Sequence, residues 1–495
     1  MGGKSTTIHI TQLSKSFADK VLFENININF QVGEKIGIVG KNGCGKTTFI
    51  KILAKEVEPD TGGIRNRNSI AYMPQDIEYT EGETVYDYFL RYIDSREEYK
   101  IYSILEDVNL PIDINQTVKS LSGGEQKKLQ LARILLQNAE VLLLDEPTNH
   151  LDQGSLELLQ KCITEHSGIV LFISHDRHFL NMMANKILEI EKNNFIIYHG
   201  NYEIYKEEKE KRKMRQQEEY TRYQKEKTKR EDWMLEMRQR ASVYVNPALG
   251  RLIKSKEKYI EREVYSKEVE KVQNEKKLSL RGIGGTHQGK LILEIKSQNI
   301  GFDGSVLIKD VCMEIRGKDR VMLAGANGSG KTTLIKYLIS AFTGASNNEN
   351  IKTGNNITFD YFDQHNEVLR SREVVYTRFA KHIKSKTDER GIRSQLAIIG
   401  LSQHEIEGSI EDLSYGQKVK IKFLQMLSAP IDLLILDEPT NHLDISTRET
   451  IEDMLEDYDG ALLIVSHDQY FTAKINTTIK YIIKDKKLLQ ESSII

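Results

Sequence analysis

The feature that most restricts how this 495-residue chain can fold is an internal repeat, in which several blocks recur in the same order in its two halves. Gly40-Lys41-Asn42-Gly43-Cys44-Gly45-Lys46-Thr47-Thr48 returns as Gly325-Ala326-Asn327-Gly328-Ser329-Gly330-Lys331-Thr332-Thr333, an offset of 285 residues. Glu146-Pro147-Thr148-Asn149-His150-Leu151-Asp152 returns letter for letter as Glu438 to Asp444, and Ser174-His175-Asp176 as Ser466-His467-Asp468, both at an offset of 292. The difference places a seven-residue insertion in the second copy, after its glycine-rich loop. Each copy opens with alternating apolar positions and closes with another alternating stretch, near Ile187 to Ile197 and near Ile479 to Leu489, so each reads as a closed α/β unit. The expected organisation is one unit over 1–200, a segment of different composition over 201–288, and a second unit over 289–495.

Each copy carries its own chemistry. The pattern G-x-x-x-x-G-K-[ST] follows the strand-like runs Lys35 to Val39 and Arg320 to Ala324 and precedes helix-compatible residues, the context that a phosphate-binding loop requires. Its glycines let backbone N–H groups turn inward, a helix N-terminus adds a favourable dipole, and Lys46 or Lys331 brings a positive charge to phosphate oxygens. Thr47 and Thr332 stand where Mg²⁺ would be held. The runs Val141-Leu142-Leu143-Leu144-Asp145-Glu146 and Leu433-Leu434-Ile435-Leu436-Asp437-Glu438 read as buried strands that end in two carboxylates. Such a strand can present carboxylates only at its C-terminal end, where open α/β sheets bind ligands. Asp145 and Asp437 then serve the metal, while Glu146 and Glu438 orient or activate an attacking water. A lone Asp-Glu would be a solvated turn, but this pair recurs in register with the loop and the histidine.

Composition closes off other classes. Net charge is −2, with 39% hydrophobic and 29% charged residues, so the chain is no uniformly basic nucleic-acid binder and any basic surface is local. No apolar run approaches the roughly 18–20 residues that cross a bilayer. Cys44, Cys162 and Cys312 lie too far apart for a disulfide framework or metal-ligand spacing, which suits a reducing, cytoplasmic setting.

The block Leu121-Ser122-Gly123-Gly124-Glu125-Gln126 makes a family resemblance specific: the chain resembles ATP-binding-cassette proteins over both copies. The resemblance implies that ATP is bound with Mg²⁺, that Gln75 and Gln364 belong to the loop sensing metal and nucleotide, and that His175 and His467 are switch histidines. It also implies that Phe17 and Phe302 stack on adenine. Two cassettes of this family close head to tail. Site one would pair Lys46, Glu146 and His175 with the second signature, and site two would pair Lys331, Glu438 and His467 with Ser122, Gly123 and Gly124. The second signature reads Leu413-Ser414-Tyr415-Gly416-Gln417, with Tyr415 in place of the first glycine, which predicts unequal sites.

The doubled Glu-Pro-Thr-Asn-His-Leu-Asp motif, with two cassettes in one chain, resembles subfamily F, whose members act on ribosomes. Residues 201–280 hold 22 Lys/Arg against 16 Asp/Glu, which concentrates positive charge in the linker. Sparse apolar positions at three-to-four spacing predict a helical hairpin with a first helix over 201–240 and a reversal at Asn246-Pro247 and Gly250. The tip, about 241–251, carries Val243, Tyr244, Val245, Asn246, Pro247 and Leu249 and is the expected effector element. By the same resemblance the hairpin reaches through the ribosomal exit-site region toward large-subunit rRNA, peptidyl-site tRNA and the peptidyl-transferase centre. From Lys46 to Ser122 is 76 residues, which leaves no room for an extra arm, and the chain stops soon after the second cassette. Both features resemble the antibiotic-resistance members rather than the housekeeping translation factors. The ATPase of a transporter with separate membrane subunits is the rival from another class.

Overall fold

The structure is a computed structural model that describes residues 7–17, 20–93, 97–149, 151–243, 287–302, 305–326, 328–344, 350–363, 372–383, 388–441, 443–466 and 468–492. The first cassette runs β1 (Thr7–Phe17), β2 (Lys20–Gln31), β3 (Lys35–Gly40), α1 (Lys46–Leu53), β4 (Thr61–Arg65), β5 (Ile70–Met73), α2 (Val85–Leu90), α3 (Tyr99–Asp107), α4 (Gly123–Gln137), β6 (Val141–Asp145), α5 (Gln153–Glu165), β7 (Ile169–Ile173), α6 (Arg177–Met183), β8 (Lys186–Glu191) and β9 (Asn194–His199). After α7 (Tyr202–Val243) the same order returns, with one more short helix ahead of the signature helix. It comprises β10 (Leu291–Phe302), β11 (Ser305–Arg316), β12 (Arg320–Gly325), α8 (Lys331–Phe342), β13 (Ile351–Thr353), β14 (Phe359–Phe362), α9 (Val375–His382), α10 (Glu389–Ile398), α11 (Gln403–Glu407), α12 (Tyr415–Leu427), β15 (Leu433–Asp437), α13 (Ile445–Glu456), β16 (Ala461–Val465), α14 (Gln469–Lys474), β17 (Ile479–Lys484) and β18 (Lys487–Ser492).

In the first cassette a six-stranded sheet is ordered β5-β6-β7-β3-β8-β9, and β2-β1-β4 form a separate antiparallel sheet. The second cassette repeats the parallel series as β14-β15-β16-β12-β17, joined through β18 to β11, β10 and β13. The strands β6, β7, β15 and β16, apolar throughout except for the closing Asp145 and Asp437, are buried along their whole length, as parallel strands covered on both faces must be. Phe49 of α1 packs edge-on against Phe23 and Phe195, and so anchors the helix that follows the glycine-rich loop to both sheets. The tandem α/β architecture is the one read from the repeat.

Both cassettes lie in one compact unit, and α7 belongs to a second. This 42-residue helix is Lys- and Glu-rich on every side and spans about 60 Å at roughly 1.5 Å per residue. Pairs such as Glu207–Lys211 and Glu226–Arg230, one turn apart, support it locally. At its base Tyr198 and Tyr205 meet edge to face at 5.0 Å, and Lys209 sits over the Tyr205 ring. The chain is still helical at Val243, three residues past the expected 240, so Val243, counted in the expected tip, lies in the helix. Tyr244, Val245, Asn246, Pro247 and Leu249, with the return helix, lie outside the described residues.

Candidate nucleotide sites

The two phosphate-loop blocks fold alike because their glycines permit it. Gly40, Gly43 and Gly45 have φ of +156°, +73° and +104°, and Gly325, Gly328 and Gly330 have +159°, +75° and +102°. Only glycine enters this region without strain. A Cβ on Gly40 would also stand 2.8 Å from the Ile190 carbonyl oxygen. Lys46 Nζ donates to the Gly40 and Lys41 carbonyls at 2.8 and 3.2 Å, and Lys331 Nζ to those of Gly325 and Ala326 at 2.7 and 3.1 Å. Each ammonium is thus held over its own loop, where a phosphate would lie.

Asn42, Gly43, Gly45, Lys46, Thr47, Thr48, Gln75, Asp145, Glu146, Asn149, Ile173 and His175 line one cavity. Strand β6 delivers Asp145 at its C-terminal end, and β7 delivers the segment leading to His175. Both oxygens of Asp145 are buried without a hydrogen bond of normal geometry. Burial raises its pKa, while the Thr47 hydroxyl and the Lys127 and Lys46 charges pull the other way. In the second cassette Thr332 Oγ1 donates to Asp437 Oδ2 at 3.1 Å, and burial again raises the carboxyl.

Glu146 and Glu438 both have left-handed backbones, with φ of +49° and +47°. That is an uncommon conformation for a side-chain-bearing residue, and it recurs at the same place in both copies. There the backbone N–H turns to the end of the neighbouring strand, donating from Glu146 to the Ile173 carbonyl at 3.1 Å and from Glu438 to the Val465 carbonyl at 2.9 Å. Glu146 Oε1 lies 3.3 Å from His175 Nε2. Burial and the neighbouring Asp145 push the Glu146 carboxyl up to about 7, and burial with the Lys46 and Arg448 charges pushes the His175 imidazole down to about 3. The depressed imidazole makes this a close contact and not an ion pair, and the hydrogen bond between the two residues runs from the His175 backbone N–H to Glu146 Oε2 at 3.4 Å.

The signature segments are helix starts. Ser122 accepts from Glu125 N–H, and the Glu125 carboxylate accepts from Ser122 N–H at 2.8 Å; Ser414 and Gln417 form the same reciprocal pair before α12. Gly123 and Gly124 open α4. Neither Gly123 nor Tyr415 has positive φ, and a Cβ on Gly123 would meet nothing within 4 Å. Tyr415 sits on an ordinary helical turn, 43% exposed, so any effect it has on the first site would come through its ring and not through the backbone. Gly416 is the crowded position of the two, because a Cβ there would stand 2.9 Å from Thr447 Oγ1 of α13 and one of them would have to shift. Lys127 of α4 donates to the Gln75 carbonyl oxygen at 2.5 Å and so ties the signature helix to the loop carrying Gln75.

Around the second phosphate loop a cavity is lined by Leu307, Gly325, Ala326, Gly328, Ser329 and Ile482 to Lys486. Phe17 ends β1 52% exposed, with Lys15 Nζ 5.2 Å from its ring centroid, so it is a surface platform and no core residue. Phe302 ends β10 at the corresponding place. Cys44 lies between the loop glycines, half-buried. Thr333 is in the first turn of α8. Asn327, Gln364 and His467 lie outside the described residues.

Sequence reasoning did not place the contribution that crosses between cassettes. Asp444 caps α13 with one oxygen, accepting from Thr447 N–H at 2.8 Å, and with the other accepts from Asn42 N–H at 2.8 Å. Burial alone would raise its carboxyl, but these hydrogen bonds outweigh burial and hold it below its ordinary value. The copy in the first cassette, Asp152, pairs with its own neighbour Lys128 at 2.7 Å and its side chain is 55% exposed. The signal was the final Asp of each doubled motif, although nothing in the motif shows that only one of the two crosses. The signature residues Ser414, Tyr415 and Gly416 are not among those lining the first cavity.

Among the described residues no helix is long and apolar enough to cross a membrane. A family model described as ABC transporter matches residues 23–149 and 308–441, and a second with that description matches 188–281. The chain is 32% identical over 507 residues to the ribosome protection protein VmlR of Bacillus subtilis, covering 97% of this chain and 87% of that one. It is 29% identical to ABC transporter F family member 2 of Arabidopsis thaliana, covering 95% and 76%. A solved structure of RNase-L Inhibitor shares the fold, with a TM-score of 0.63 at 17% identity over 98% of this chain and 90% of that one. With two complete cassettes and this full-length likeness, the chain belongs to the ABC-F family of ATP-binding-cassette proteins and is an ATP-hydrolysing enzyme.

Proposed function

We propose that this ATPase binds ribosomes when its cassettes hold ATP and protects them from antibiotics, its linker hairpin reaching toward the peptidyl-site tRNA and the peptidyl-transferase centre. The observation that carries the reading is the 32% identity to a ribosome protection protein over 97% of the chain, the linker included. The long polar helix α7, within a segment of 22 basic and 16 acidic residues, supports it, because a solvated basic rod suits a polyanionic partner better than a protein core. In this reading 201–288 is the effector domain between cassettes 1–200 and 289–495.

The phosphate loops Gly40–Thr48 and 325–333 hold the triphosphates, and Phe17 and Phe302 take the adenines. The buried, unpaired oxygens of Asp145 fit a divalent cation, so Mg²⁺ would be held by Thr47, Gln75 and Asp145 in one site and by Thr332, Gln364 and Asp437 in the other. That ion would neutralise charge developing on the phosphate oxygens. Glu146 and Glu438 orient the attacking water and take its proton. The histidines His175 and His467 hold those carboxylates in place.

The test is a ribosome pull-down and a drug-susceptibility assay. The double substitution Glu146→Gln with Glu438→Gln should abolish hydrolysis and increase ATP-dependent ribosome association. Replacing residues 243–249 with a short Gly/Ser turn should leave ATPase intact and remove drug protection in cells. No gain in ribosome binding on ATP addition would rule out the ribosomal reading. Full protection by the turn variant at equal expression would reduce the tip to a chain reversal, and ribosome binding without any protection by wild type would assign a housekeeping role.

A further inference from the structure

Arg177 is the first residue of α6, two positions after His175, and it crosses from the first cassette into the second. Its guanidinium grips Glu452 of α13 through both terminal nitrogens, one at 3.1 Å, and lies 3.4 Å from Asp468. Arg177 and Glu452 are buried, with side chains 4% and 1% exposed. Around them Arg448 Nη1 donates to Asp468 Oδ2 at 3.1 Å, and Lys474 Nζ stands 3.8 Å from Glu452. The Tyr470 ring faces the Arg177 guanidinium at 5.2 Å.

The internal repeat supplies its own control. At the offset of 292 residues Arg177 corresponds to Gln469, Glu452 to Gln160, Arg448 to Leu156 and Lys474 to Met182. The charges that bridge the cassettes here are thus missing from the equivalent positions on the other side. Well-packed apolar groups in place of a buried ion pair are often neutral or stabilising, so stability alone is a weak reason for this cluster. What it touches suggests another reason. On one side it is two residues from His175, which contacts Glu146, and on the other it holds Asp468, the sequence neighbour of His467.

We propose that Arg177 is a positioning residue for hydrolysis at the first site. Its bidentate grip on Glu452 and its contact with Asp468 fix the start of α6, and with it the approach of His175 to Glu146. The same contact makes the first site's geometry depend on the second cassette's switch segment, through Arg177 and Glu452, which have uncharged counterparts in Gln469 and Gln160. Arg448, anchored to the Leu443 carbonyl at 3.0 Å and to Asp468, completes the brace and adds positive charge facing Glu146 and His175.

The experiment uses the full chain with one site silenced at a time, Glu438→Gln leaving the first site and Glu146→Gln the second. The double carboxylate variant, expected to be inactive, checks the carboxylate assignment separately. Arg177→Gln installs the residue found at the corresponding position. It should lower kcat of the first site roughly ten-fold or more, since small misplacements of catalytic groups have effects of that size, with KM within about two-fold. The second site should keep its kcat. The exchange Arg177→Glu with Glu452→Arg should recover part of the loss, and Arg177→Lys, which folds with its charge retained but lacks the fork, should fall between. Equal losses at both sites, or no loss at the first site in either Arg177→Gln or Arg177→Lys, would overturn the proposal.

Discussion

Glu146→Gln tests the electrostatics of the first site apart from catalysis. The wild-type carboxyl is raised from the ordinary 4.5 to about 7, mainly by burial and then by Asp145. Below pH 4.5 the folded and unfolded states both hold the proton, and the residue adds nothing to the pH dependence. Between pH 4.5 and 7 the unfolded chain has released its proton while the folded chain keeps it, so stability falls as pH rises. The loss levels off above pH 7, and at about 1.4 kcal/mol per pH unit it reaches roughly 3 kcal/mol. Glutamine has nothing to ionise and escapes the loss. The variant should therefore match wild type at about pH 4 and melt higher at about pH 8 by on the order of 6–12 °C in the first cassette's transition, at roughly 2–4 °C per kcal/mol. His175, depressed to about 3, acts in the opposite sense, costing stability as pH falls below its ordinary 6.5. It is present in both proteins, so the comparison at each pH removes its contribution. Thermal unfolding of nucleotide-free protein, followed by calorimetry, is sufficient. An equal shift at both pH values would mean that the variant changes packing and not charge.

Two further outcomes follow from the second signature. Gly416→Ala should destabilise the second cassette by about 1–3 kcal/mol in chemical denaturation, because its Cβ would stand 2.9 Å from Thr447 Oγ1. Thr447→Ala should remove most of that penalty in a double-mutant cycle, and additivity of the two changes would place the strain elsewhere. Tyr415→Gly should change stability by less than about 1 kcal/mol, the helix-propensity difference alone, yet raise first-site turnover when measured with Glu438→Gln. Unchanged turnover would mean that the ring at 415 does not limit that site.

Much of the architecture was legible because the motifs encode local geometry. Glycines at the phosphate loops take the φ values only glycine tolerates, apolar runs ending in Asp-Glu become buried strands, and Ser122 with Glu125 or Ser414 with Gln417 caps a helix wherever it occurs. Three things were not legible. The backbone at Tyr415 is helical, so the glycine of the family pattern reports on what approaches the position and not on its φ. The polar helix α7 carries no stop signal near 240, and Ala241, Ser242 and Val243, whose propensities do not oppose a helix strongly, continue it. The bond from Asn42 to Asp444 joins residues 402 positions apart, and no periodicity or local motif distinguishes Asp444 from Asp152, its identical copy.

The left-handed turns at Glu146 and Glu438 set stability against activity in a particular way. A non-glycine residue held at such φ costs about 1–2 kcal/mol, and glycine or asparagine would relieve it. Glutamine keeps the branch point and the strain, so it separates the charge from the backbone, whereas Glu146→Gly would relax the backbone and remove the carboxylate at once. Selection for thermal tolerance alone would therefore favour, at these two positions, the very replacements that stop hydrolysis. A chain evolved under heat without a requirement for turnover should accumulate glycine or asparagine there first, and would remain a well-folded nucleotide binder that no longer releases its energy.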